Sequence, residues 1–486
     1  MDLSNTGPGG GEAGHGADAA AAGQCPVAHG APAPQAAIPA TELPGSKTHA
    51  VFQLLNYWTR PQSFIEKARK QHGPRFQVSI RLPPRAVYVL TDPEDIKAAF
   101  TAPADVLHTG NGSATIEKYT GQSGLAWLDE DAHRIRRKLM MPSYHGPALD
   151  RIATAITEMS KEDVATWPRG QAVPLHPHIH RFTLHVIREV IYGGRPPAKW
   201  DQLLDLLQEM MRFNNSMASP MLLHKMSPRG VKILRAVKWT GVDRFLKLRE
   251  QADALVMETI EDHRASNFRG DDLLSVLLSI THEDGSPLTK GEIRDEMMTI
   301  FLAGTETTAA AIAWAFVYLS RDKQMLDRLR AEIDRGEDDA YLTAVVNEVL
   351  RVRPSIPNII VREVKKPIVI GGVQYEPGQH LWISAFLMNR DPEVYEDPDA
   401  FRPERFLNTK PGMYTWIPFG GGRIRCLGDK IALLEMKAMI REVLTQYELI
   451  ATDPAPVKAR SRIVVNVPAD FARIELRDRV REAAMV

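Results

Sequence analysis

Apolar residues recur at three- and four-residue spacing from about Pro93 to Leu350, the period of helices that each bury one face. Pro- and Gly-rich stretches at 167–177 and 193–197 divide this run into separate helices. Ahead of it, Arg75–Leu90 carries β-branched and aromatic residues with two Pro-marked breaks, which predicts a hairpin of strands. Strand patterning returns over 359–383, with Gly371-Gly372 as a turn, and two short strands are expected at Ile463–Val467 and Ala472–Leu476. The fold class read from this pattern is mainly α with a smaller β lobe, about 75–100 and 359–385, beside a helical body.

One helix stands apart. Thr289-Lys290-Gly291-Glu292 has the form of a capping box, and helical pattern then runs to about Leu319. Such a helix is roughly 45 Å long and crosses a whole domain. Its centre, Ala303-Gly304-Thr305-Glu306-Thr307-Thr308, is built of weak helix formers. Gly and three Thr cost on the order of 2 kcal/mol against Ala. Two readings stand: a distortion that offers backbone groups and hydroxyls to a ligand, or a packing notch for another helix.

The chain has 486 residues, past the ~250–300 at which single cores usually divide, so length alone favours more than one domain. Sixty basic and sixty acidic residues cancel, which argues against general binding to nucleic acid or membrane surfaces. Two cysteines, Cys25 and Cys426, suggest no disulfide framework and a reducing compartment. Residues 1–45 are mostly Gly, Ala, Pro and small polar residues and read as a disordered tail, with no early positive charge for a targeting signal. No uninterrupted apolar window reaches ~18 residues, so no membrane span is expected and the cytoplasm is the expected location.

The chemistry concentrates at Cys426, within Phe419-Gly420-Gly421-Gly422-Arg423-Ile424-Arg425-Cys426-Leu427-Gly428. Glycines let the backbone fold around the sulfur, arginines add positive charge, and an amphipathic helix begins just after. A lone thiolate makes a poor zinc site, which collects several Cys or His. It makes a good axial ligand for haem iron, where one sulfur suffices.

This loop, the centre of the long helix, Glu348-Val349-Leu350-Arg351 and Phe401-Arg402-Pro403-Glu404-Arg405-Phe406 follow one another in a family order. The chain resembles the cytochrome P-450 superfamily of haem-thiolate monooxygenases over nearly everything after about Ala50, so 46–486 is expected to form that domain, with haem between helices. Spacing on a helix alone makes Glu348 and Arg351 a solvated pair, opposite the apolar stripe Leu342, Val345, Val346 and Val349. The resemblance implies instead a structural pair locked with Arg405 behind haem b (iron protoporphyrin IX). It also implies that Cys426 is the metal ligand and that Phe419, Arg425 and Gly428 belong to the cofactor loop. His133, Arg137 and Arg362 match family positions that hold the haem propionates; taken alone, His133 and Arg137 also read as one face of a basic, solvated helix. The family usually has Arg or His two residues before the cysteine, and here that residue is Ile424, flanked by Arg423 and Arg425; the departure implies either weaker haem retention or a loop shift that lets one of these two arginines reach a propionate.

Dioxygen is the implied cosubstrate. The resemblance makes Glu306 and Thr307 an acid–alcohol pair for proton delivery, which favours a monooxygenase over a peroxide-driven peroxygenase or isomerase, or a haem carrier without turnover. Electrons are expected from a ferredoxin or flavodoxin with an NAD(P)H-dependent reductase. Arg134, Arg136, Lys138, Lys430 and Lys437 read either as a basic docking face or as ordinary solvated charge. By analogy the pocket draws on Leu107–Leu125, Met210–Met226, Phe301–Ala303 and Ile356–Ile360, with Phe301, Ala303, Ile356 and Ile359 as lining residues. These segments are mostly apolar, which suits a lipid, terpenoid, steroid or polyketide-like substrate. Met210, Met211, Met217, Met221 and Met226 read as a pliable lid or as core packing.

Overall fold

The computed structural model describes residues 37–480 apart from 81–85, 110–113, 214–229, 232, 234, 236, 238–240, 337, 360 and 463. Six helices build the surroundings of the cysteine loop and the long helix: α1 (Glu130–Met140), α2 (His176–Tyr192), α3 (Trp200–Arg212), α4 (Lys290–Leu319), α5 (Ala340–Val352) and α6 (Asp429–Gln446). The expected start of α4 is met in detail. The Thr289 hydroxyl accepts from the Glu292 N–H, and the Glu292 carboxylate accepts from the Thr289 N–H. Helix α2 ends where Gly193 takes a left-handed conformation, φ +56°, which an L side chain adopts only at a cost.

Helix α4 runs unbroken through its weak centre. The Thr305 and Thr307 hydroxyls each donate to the carbonyl four residues back, at 2.7 Å. Gly304 is the packing notch: a Cβ there would overlap the Ile187 side chain of α2. Nearly every residue from Thr308 to Leu319 is buried in the main core. The most apolar stretch of α4 is long enough to cross a membrane, but 72% of it is buried inside the protein, as befits a core helix.

The β lobe holds β1 (Ile38–Pro39), β2 (Arg75–Ser79), β3 (Ala86–Leu90), β4 (Leu107–His108), β5 (Arg362–Val364), β6 (Ile368–Ile370), β7 (Val373–Tyr375) and β8 (His380–Ile383). The expected hairpin is present, β2 antiparallel to β3 with Val78 opposite Val87. It extends to a five-stranded sheet, β2-β3-β8-β5-β4. Gly371 and Gly372, φ +57° and +75°, turn β6 into β7. The tail ends sooner than composition suggested. Ile38 pairs in parallel with Val373, and the Gln77 side chain donates to the Leu43 carbonyl at 2.7 Å. Near the carboxyl end, β9 (Ala459–Arg462) and β10 (Val465–Pro468) form a hairpin against α4. Length suggested several domains; the described residues form a large helical core around α4 and smaller cores in the β lobe.

Candidate functional site

The cysteine loop is shaped by its glycines. Gly422 has φ +63°, and a Cβ on it would run into the Phe100 carbonyl. The Cys426 N–H donates to the Phe419 carbonyl at 2.9 Å and closes the loop. Gly428 caps α6 just beyond, and Cys426 itself is exposed. The sulfur is open to contact on one side but crowded by protein around it, and that crowding pushes the thiol above its ordinary value, against the pull of the Gly428 N–H, Arg137 and Arg425. Arg137 and Arg425 offset only part of that rise.

Cations gather on one side of this loop. His133 is buried on α1, and burial, with Arg137 and Arg423 close by, lowers it to about 4. Arg137 is half-buried on the same helix, held below its ordinary value mainly by burial. Arg362, on β5, is 2% exposed, and its Nε and Nη2 have no hydrogen-bond partner among the described residues. Burial and the nearby Arg423 bring it down to about 9. The two arginines beside Ile424 are both engaged. Arg423 donates to the Ala102 carbonyl at 2.8 Å and to the Leu107 carbonyl, tying the loop to the strand before α1. Arg425 lies over the Phe419 ring and donates to Asp429 at 2.8 Å.

The basic face is smaller than expected. Arg136 shares the inward face of α1 with His133 and Met140, and its guanidinium turns to Glu296 and Glu292 of α4, at 3.5 and 3.6 Å. Glu296 also accepts the Leu125 N–H at 2.8 Å, and Asp295 accepts those of Gln122 and Ser123 at 3.0 Å. Arg134 is exposed but paired with Asp131 at 2.8 Å. Lys138 and Lys430 are exposed and Lys437 is half-buried.

On α4, Ala303 is exposed and Thr307 half-buried, an open strip on a helix otherwise enclosed. Glu306 points into a buried cluster. Arg462 of β9 donates to its Oε1 at 2.7 Å, and Nε2 of His176 and of His180 on α2 lie 3.5 Å from Oε1 and Oε2. Burial works to raise Glu306, but His176 and Arg462 outweigh it and bring the carboxyl down to about 2. Burial keeps His180 neutral, lowered to about 4.

An acid dependence of stability is the consequence. The contribution of His180 is complete above its ordinary 6.5 and is lost as pH falls through about 4. That of Glu306 is complete above its ordinary 4.5 and is lost toward about 2. The urea midpoint should therefore decline as pH drops below about 6.5, and His180→Gln should flatten the first part of that decline. An unchanged slope in the variant would remove His180 as its source.

Glu348 and Arg351 overturn the reading from helical spacing: both are 0% exposed, because α5 is buried on nearly all sides. Arg351 grips Glu348 through Nε and Nη2, at 2.7 and 2.8 Å, and Arg405 donates to the same carboxylate at 3.1 Å. Of the expected pocket residues, Phe301 lines a space of about 20 Å³, room for about one water, together with Tyr119, His180, Met210, Met211 and Thr305. Ile356 and Ile359 are half-buried elsewhere. Met210 and Met211 are buried core residues of α3, while Met217, Met221, Met226 and Ile360 fall outside the described residues.

Comparison with known proteins settles the family. The family model described as "Cytochrome P450" matches residues 43–471. The chain belongs to the cytochrome P450 family. It is 36% identical over 393 residues to "Putative cytochrome P450 137" of Mycobacterium tuberculosis, covering 80% of each chain. To "Putative cytochrome P450 138" of Mycobacterium bovis it is 32% identical over 457 residues, covering 93% of this chain and 99% of the relative. The fold is similar to a solved structure described as "Retinoic acid bound cyanobacterial CYP120A1", with TM-score 0.77, 22% identity and coverage of 91% and 100%. A "cytochrome P450DA heme domain" gives TM-score 0.74 at 23% identity, covering 92% and 99%. As a cytochrome P450, the protein is in general terms a haem-thiolate monooxygenase that binds haem iron and uses dioxygen. Sequence reading missed three engaged residues of this cytochrome P450, namely His176, His180 and Arg462, and it named Arg423 without its backbone partners. Only the first two left a trace, a four-residue spacing that puts both imidazoles on one face of α2.

Proposed function

We propose that this protein is a soluble, cytoplasmic monooxygenase that inserts one atom of dioxygen into an apolar substrate, of the lipid, terpenoid, steroid or polyketide-like kind. The observation that carries this reading is the neighbouring pair on α4: Thr307 on the open strip and Glu306 buried and ionised behind it. A peroxide-driven enzyme has no need of such a pair.

The residues fit haem b. An exposed sulfur in a glycine-shaped loop suits an axial ligand, and the unpartnered buried guanidinium of Arg362 suits a carboxylate. Haem, when bound, supplies the activation of dioxygen and its insertion into a C–H bond or double bond. Cys426 would hold its iron. Arg362, with His133 and Arg137, would hold its propionates, while Arg423, spent on backbone carbonyls, secures the loop. The Thr307 hydroxyl would give its hydrogen bond to the oxygen side in place of the Ala303 carbonyl, and Glu306, a carboxylate at rest, would relay protons from solvent. Substrate would lie on the open strip at Ala303 and Thr307, whereas Phe301, Met210 and Met211 are packed in the core on the opposite face of α4. Lys138 and Lys430 would meet an acidic ferredoxin or flavodoxin, reduced in turn by an NAD(P)H-dependent reductase.

The test supplies NADPH, reductase and ferredoxin, after apolar compounds have been screened for a low- to high-spin shift. Product formed with the electron donors supports the reading, and product formed only with peroxide overturns it. Arg362→Met gives a second check with two signs. It should raise the melting temperature of haem-free protein by removing an unpaired buried charge, and should speed haem loss to a scavenger. Equal destabilisation of both forms would leave Arg362 a packing role only.

A further inference from the structure

Two histidines in the interior have no assigned purpose. His176 and His180, four residues apart on α2, are 2% and 6% exposed and turn toward Glu306. The groups facing Glu306 come from three directions. Helix α2 brings the two imidazoles, β9 brings Arg462, and α3 brings the Met211 carbonyl, which occupies the other arm of Arg462 at 2.9 Å. The two carboxylate oxygens are thereby made unequal. Oε1 accepts from Arg462 and also faces His176. Among the described residues Oε2 has no hydrogen bond, and neither has the His180 Nε2 that faces it at 3.5 Å. His180 is also part of the wall of the water-sized space beside Thr305 and Phe301.

Two buried polar atoms that face each other unpaired carry a cost that packing alone does not repay. An apolar residue at 180 would fill the same space without it. Arg462 already supplies the positive charge that Glu306 needs, so a second role for the imidazole as counter-charge is redundant.

We propose that His180 is a positioning residue of proton delivery, the group through which Glu306 is recharged after it gives up a proton on the Thr307 side. A proton taken up at the imidazole leaves Nε2 for Oε2. Neutral imidazole and a carboxylic acid result, and the acid releases that proton toward Thr307 and returns to carboxylate. One proton passes from solvent to the oxygen side per cycle, with no net change in either residue. His176 and Arg462, on the other oxygen, fix the carboxylate while Oε2 works. This route rests on the monooxygenase reading and adds the path by which its acid is supplied.

The experiment compares wild type, Glu306→Gln and His180→Gln as haem-loaded enzymes with reductase and ferredoxin. It reads product formed per NADPH consumed, and the solvent deuterium isotope effect on turnover, across pH. His180→Gln should lower product per NADPH by on the order of ten-fold, short of the roughly 10²–10⁴ typical of a group that itself transfers the proton in the chemical step. It should also enlarge the isotope effect and change the pH profile, with the reduced carbon monoxide spectrum unchanged. Unaltered coupling and isotope effect in His180→Gln, beside a strong loss in Glu306→Gln, overturn the histidine route and leave the monooxygenase reading standing. Unaltered coupling in Glu306→Gln overturns the reading beneath it. His180→Asn is the second variant. Failure of both His180 variants to load haem would make the ring a structural element and count against the proposal.

Discussion

Arg351→Ala is expected to leave little folded protein. The guanidinium makes two bonds to Glu348 and three to the carbonyls of Asn389, Pro398 and Ala400, at 2.7–2.9 Å. None of these acceptors finds a substitute donor in alanine, and a carboxylate with no exposure would be left with Arg405 and the Arg402 N–H, both on one oxygen. Breaking a buried pair of this kind costs about 3–5 kcal/mol, against a total stability of roughly 5–15 kcal/mol. Arg351→Lys should fail nearly as badly, because an ammonium keeps the charge but cannot span the fork. Soluble yield and the denaturant midpoint measure both. A midpoint for Arg351→Ala within about 1 kcal/mol of wild type would show the network to be dispensable.

The second large effect is chemical. Cys426→Ser should abolish the strongly red-shifted Soret band of the reduced protein with carbon monoxide, and with it all turnover driven by NADPH. The fold should survive, because the loop is held by Gly422 against Phe100 and by the Cys426 N–H on the Phe419 carbonyl, neither of which uses sulfur. A hydroxyl loses its proton far less readily than a thiol, so it cannot give iron the same anionic donor. Persistence of the band in the variant would remove Cys426 from the metal.

Much of the fold was legible in sequence where the signal is local. The capping box at Thr289, the β2–β3 hairpin and the Gly371-Gly372 turn depend on residues a few positions apart, and each formed as expected. Local spacing misled where distant packing decides. Glu348 and Arg351 lie three apart, as an exposed pair would, yet α5 is enclosed on the polar side by the 396–406 segment whose carbonyls and Arg405 meet them. Arg136 failed for the same reason, since only the arrival of Glu292 and Glu296 makes its inward position tolerable. Arg462 reaches Glu306 across 156 positions, which no periodicity registers. The centre of α4 offered two readings, and the Ile187 contact makes Gly304 a notch without breaking the helix.

The strand partners of the β lobe impose an order of events during synthesis. Ile38 waits for Val373, and Tyr88 for Leu381, roughly three hundred residues later. Until the ribosome has delivered that stretch, the first strands have no complete sheet to join, whereas α2 and α4 can already dock. The early strands should thus be zipped into their sheet only after residues 373–383 have emerged, and a nascent chain stalled before residue 373 would expose unpaired strand edges to chaperones.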